Sequence, residues 1–204
     1  MLVYALWDTP VVYPLKIFVV FLHEISHGLA AVVTGGEVER IELSANQGGV
    51  CYTRGGSRFL TASAGYLGSV LWGALFLVVG ARTRADRALV CLVGVFVAAI
   101  TLLFVRSAFG FVYGLAAAAV LVAVGLKLPA NVSDGLLRVI GCVSCLYAVW
   151  DIASDLLFRD VPGSDAHTIA AITHLPAVLW GVVWMGVALA VFAGALYLTT
   201  RRRA

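Results

Sequence analysis

Two histidines and a glutamate interrupt an apolar run in FLHEISHGLA, residues 21 to 30. His23 and His27 are spaced i, i+4. On an α-helix that spacing puts both imidazoles on one face, where they can bind one metal ion. Glu24 stands beside them, placed to take a proton from a metal-activated water and deliver it to a leaving amine. Zinc suits this chemistry because it lowers the pKa of its bound water from 15.7 to about 7. Catalytic zinc takes three protein ligands and keeps one position open, so a third ligand has to come from elsewhere in the chain.

The surroundings make the triplet costly. The 204 residues are 62% hydrophobic and 12% charged, with a mean hydropathy of +1.00. Soluble domains carry about 45–50% apolar and about 25% charged residues, so the composition is that of a multi-pass integral protein of the cell membrane. Its solvent is the lipid bilayer. A charged group at the centre of a membrane helix costs about 2.5–3.5 kcal/mol, which makes such groups functional candidates. The first apolar run is too long for a cleavable signal peptide and lacks a small-residue cleavage site. The arginines gather at segment ends as membrane flanks, which excludes a nucleic-acid face.

A membrane helix needs about 20 mostly apolar residues. Six such runs are present, at roughly 10–34, 59–81, 88–105, 108–128, 135–158 and 174–198. Ser133 reads as the N-cap of the fifth. Between the first two, EVERIELSANQGGVCYTR (37–54) alternates apolar and polar residues around an ANQGG turn, which predicts a β-hairpin at the membrane surface. Its strand edge, Leu43 included, is suited to hold an unwound peptide through main-chain hydrogen bonds. The expected fold is thus an all-α membrane protein of about six transmembrane helices, with a short β-hairpin between helices one and two. No internal repeat or linker divides the chain, so residues 1–204 read as a single metallopeptidase-like domain.

In the second span Thr61, Gly65, Ser69 and Gly73 recur every four residues. Such a small-residue ridge lets another helix approach closely, and Gly65 and Ser69 are expected to pack against the HExxH helix near the metal. Cys142 and Cys145 form a CxxC inside an apolar helix, where small residues one turn apart serve packing. Cys51 and Cys91 are isolated.

Spans alternate in direction, and this narrows the search for the third ligand. His23 and His27 lie in the second half of the first span. Groups at that depth belong to the second half of spans three and five or the first half of spans two, four and six. The candidates are Asp151, Asp155, Asp165, His167 and His174.

HEISH in the first span, the hairpin after it, SAGYLGS in the second span and a late acidic residue together resemble the site-2 protease family of intramembrane zinc metalloproteases. The resemblance is closest to its small bacterial B-like branch, which lacks PDZ and CBS modules. It implies a zinc metalloendopeptidase that hydrolyses peptide bonds in or near transmembrane segments of membrane-protein substrates. By matching position, His23 and His27 are zinc ligands and Glu24 is the catalytic base. The family's third ligand is a distant aspartate, which points to Asp165 in PGSDAH, with Asp151 as the alternative or as a partner of a ligating histidine. The LDG and NxxP-type strings of core members are missing here. Two other functions fit a polar membrane helix: a catalytically silent scaffold, against which the intact Glu24 counts, and a small-molecule transporter, against which the lack of paired interrupted helices counts.

Overall fold

The computed structural model describes residues 12–157 and 164–200. In chain order it contains α1 (Tyr13–Val33), β1 (Glu37–Leu43), β2 (Gly49–Arg54), α2 (Arg58–Arg82), α3 (Asp86–Phe104), α4 (Ala108–Lys127), α5 (Ala130–Leu157), α6 (Asp165–Thr173) and α7 (Ala177–Thr200). All but the short α6 are long and apolar enough among the helices to cross a bilayer. The protein is a multi-pass integral membrane protein, all-α apart from one antiparallel hairpin between the first two helices.

Local chemistry sets the ends of these helices. Pro14 lies in the first turn of α1, where its fixed φ suits a helix start. The Ser57 hydroxyl accepts from Leu60 N at 3.4 Å and caps α2. Ser133 does not cap the fifth membrane helix as the sequence suggested. That helix starts three residues earlier, directly after Pro129, and leaves Ser133 buried within it. The expected last span is present as α7, and a short helix not expected from the sequence precedes it. Residues 165–173 form their own helix, His174 takes a left-handed conformation (φ 58°), and the membrane helix begins only after Pro176. Pro162 and Gly163, which precede Asp165 in PGSDAH, lie outside the described residues.

α2 is the central helix, and α1, α5, α6 and α7 pack around it. The small-residue ridge makes this possible. A Cβ at Gly73 would stand 2.7 Å from Gly141 O and 2.5 Å from Cys145 Sγ of α5, and Ser144 Oγ donates to Ser69 O at 2.7 Å. Cys145 is therefore a packing group, and all four cysteines are free thiols. α3 and α4 form a pair that joins the rest of the protein through α5 and β1.

The hairpin pairs Ile41 with Cys51 and Leu43 with Gly49, with a bulge between Val38 and Arg40. The outer edge of β1 is already taken. Arg106 N donates to Ile41 O at 3.0 Å, and Ser107 Oγ accepts from Leu43 N at 2.9 Å and donates to Leu43 O at 2.8 Å. Leu43 is thus not on an open docking edge, contrary to the sequence-based expectation. Peptide groups alternate in direction along a strand. Those of Ile41 and Leu43 point away from β2, so across the ladder those of Gly49, Cys51 and Thr53 point away from β1. They face the cavity described next.

Candidate metal centre

A cavity of about 890 Å³ runs from the β2 edge to the HExxH face of α1. At its floor three side chains converge. His23 Nε2 lies 3.2 Å and His27 Nε2 3.4 Å from Asp165 Oδ2. Asp165 is the first residue of α6, whose N-terminus favours a carboxylate, and Ser164 caps that turn by accepting from His167 N.

The far ring nitrogens decide which atoms face inward. His27 Nδ1 is 2.7 Å from Thr61 O, a carbonyl that can only accept, so Nδ1 carries the proton and Nε2 presents a lone pair. Ser69 Oγ spends its proton on Gly65 O at 2.9 Å, so its lone pair faces His23 Nδ1 at 3.4 Å and gives His23 the same tautomer. Two imidazole lone pairs and a carboxylate oxygen then meet with no proton between them. Asp165 Oδ2 is buried without a hydrogen-bond partner. Such a cluster calls for a cation. In a tetrahedral site with bonds of about 2.0–2.1 Å, ligand atoms stand about 3.3–3.4 Å apart, close to the two His–Asp separations of 3.2 and 3.4 Å, and all three atoms lie within 4.8 Å of one another. The residues fit zinc.

α2 approaches the centre through glycine. A Cβ on Gly65 would collide with both His23 Nε2 and Asp165 Oδ2. Asp151 is not among the converging atoms. Its Oδ2 stands 3.9 Å from His23 Nδ1, on the outer side of the ring. Asp155, one turn on, accepts from the hydroxyl of Tyr66, whose ring meets His23 edge-on at 5.7 Å. His167 Nδ1 pairs with Ser164 Oγ at 3.1 Å and His174 closes α6, so neither histidine joins the three.

Glu24 lines the same cavity and is buried. A Cβ on Gly49 of β2 would stand 2.7 Å from its Oε1, and the Cys51 backbone N–H is directed at its carboxylate. Burial, with Glu24 next to it, pushes the Cys51 thiol up to about 12, so Cys51 is a protonated packing group. Gly49, the Thr61 carbonyl and Tyr66 were not identified from the sequence. Gly49 reads there as a turn residue, and a backbone carbonyl has no sequence signature at all.

A family model described as Peptidase M50B-like matches residues 1–195. No curated protein and no solved structure matches the chain.

Proposed function

The chain belongs to the Peptidase M50B-like family, within the site-2 proteases, and on that premise we propose that it is an intramembrane zinc metalloprotease. It hydrolyses peptide bonds in or near transmembrane segments of other membrane proteins, with residues 1–204 acting as one domain. The observation that carries this reading is the convergence of His23 Nε2, His27 Nε2 and Asp165 Oδ2 beside a buried glutamate. His23, His27 and Asp165 would hold Zn2+. Bound there, the ion supplies Lewis acidity that makes a water molecule acidic near neutral pH.

The chain's own residues do the rest. Thr61 O and Ser69 Oγ fix the histidine tautomers, and Asp151 adds negative charge behind His23. Glu24 takes the proton from water and returns it to the leaving amine. Gly49 and the Cys51 N–H set the direction of its carboxylate. A substrate helix must unwind before attack, and the outward peptide groups of β2, Thr53 among them, offer an edge for the extended segment.

The test is metal analysis of purified protein with a proteolysis assay on membrane-peptide substrates. Wild type should hold about one zinc per chain. Glu24→Gln should keep the metal and lose about 10³-fold in turnover, and Thr53→Pro should raise KM without releasing zinc. Full zinc occupancy in the His23→Ala, His27→Ala double variant would end this reading.

A further inference from the structure

α2 and α3 are joined only by Thr83–Ala85, yet they diverge from that loop. α3 packs on α4 and α5, while α2 packs on α1, α5, α6 and α7. Between them is a cleft of about 310 Å³ that shares no lining residue with the cavity at the metal centre. Leu22, Phe76 and Leu137 form its buried floor. Leu75 and Leu92 stand at its mouth, 49% and 63% exposed, at membrane depth. Trp72 meets Phe96 across its inner end, with ring centroids 6.0 Å apart, and the lining reaches Val79 and Leu89 toward the loop. Every lining side chain is apolar.

The outer end is net basic, because Asp134 beside Gly80 is paired with Arg138 at 2.6 Å and the remaining arginines there outnumber the buried Asp86. Arg82 donates to Leu198 O at 3.2 and 3.1 Å, and Arg87 donates to Gly125 O at 2.9 Å, so both guanidinium groups are held at the membrane boundary. Arg84 between them is exposed, whereas the nearby Asp86 is buried. An apolar slot below a cationic rim matches an amphiphile with a negative head. From Trp72 to Val79 the slot runs about 10 Å along α2. A cleft of about 310 Å³ is too small to take a helix about 10–12 Å across with its side chains.

We infer that the α2–α3 cleft binds one acyl chain of an anionic phospholipid, with the phosphate at Arg84 and its neighbouring arginines. Basic residues beside a slot between membrane helices are a known means of holding acidic headgroups. The bound chain braces α2, the helix that carries Gly65 and Ser69 to the metal centre.

Native mass spectrometry of the full chain, with phosphatidylglycerol or phosphatidylcholine of identical acyl chains added, tests this. Wild type should retain one phosphatidylglycerol in preference to phosphatidylcholine. Arg84→Gln should reduce that preference about fivefold, the value of about 1 kcal/mol for one basic residue at an anionic surface. Leu75→Trp and Leu92→Trp fill the slot from opposite walls, and each should abolish retention while melting as wild type does in phosphatidylcholine alone. Equal retention of the two lipids by wild type overturns the inference, as does wild-type retention by both tryptophan variants. A photo-crosslinker at position 92 should label lipid, and labelling of a copurified protein helix would likewise overturn it.

Discussion

α1 and α7 both cross the membrane, and they are built in opposite ways. α1 carries His23, Glu24 and His27, and 72% of its apolar window is buried in the protein. α7 has no charged residue, and only 17% of its window is buried. In water the more apolar helix would be the inner one. In a bilayer the lipid is as apolar as leucine, so apolarity gives no drive inward. What draws a helix to the centre is its polar and small residues, because they need partners that lipid cannot supply. α7 touches the functional region mainly through Trp184, which is buried and packs on Tyr66 with ring centroids 5.1 Å apart.

The largest test of this contrast is at the proposed metal ligands. Asp165→Asn should lower zinc affinity by more than about 10²-fold, measured by competition with a chelating dye, while Asp151→Asn should keep zinc and slow turnover by about 10-fold or more. The reverse pattern would mean that Asp151 is the ligand.

Next comes the glycine contact. Gly65→Leu drives a side chain between His23 and Asp165, and a displacement of about 1 Å there costs about 10²-fold in turnover. Zinc content should fall as well. Wild-type turnover would show that α2 can retreat without consequence.

A smaller effect is expected at Gly49. Gly49→Ala should reduce kcat about tenfold with zinc retained, because its new methyl displaces the Glu24 carboxylate. In a Glu24→Asp background the shorter side chain makes room, so the same change should cost little more. Equal penalties in the two backgrounds would show that Gly49 does not set the base.

The smallest effect belongs to α7. Val182→Ala removes a side chain that is 64% exposed to lipid, and both melting temperature and turnover should stay within about the spread of neutral surface changes. A large loss would mean that α7 has a protein partner in the membrane.

Much of this was legible in the sequence, and for local reasons. The i, i+4 spacing of His23 and His27 fixes a shared helix face whatever surrounds it. Six apolar runs of membrane length and the alternation around ANQGG specify the spans and the hairpin in the same way. Helix ends were less legible. Ser133 has the chemistry of a cap, but Pro129 starts the helix earlier, and the αL residue at His174 separates α6 from α7.

The proposed third ligand could not be read locally. Asp151 lies at a suitable depth, yet it reaches only the outer nitrogen of His23, while Asp165 on a short helix unforeseen from the sequence reaches both inner ones. The β1 edge is closed because residues 105–107, far along the chain, occupy it, and Gly49 meets Glu24 because the hairpin folds back onto α1. The sequence by itself therefore determined which groups share a helix face and which segments enter the bilayer, since periodicity and hydropathy encode both within one segment. Which distant groups meet was decided by tertiary packing alone, because between helices in lipid no hydrophobic pattern marks the inward face and only close-fitting small residues and polar partners select it.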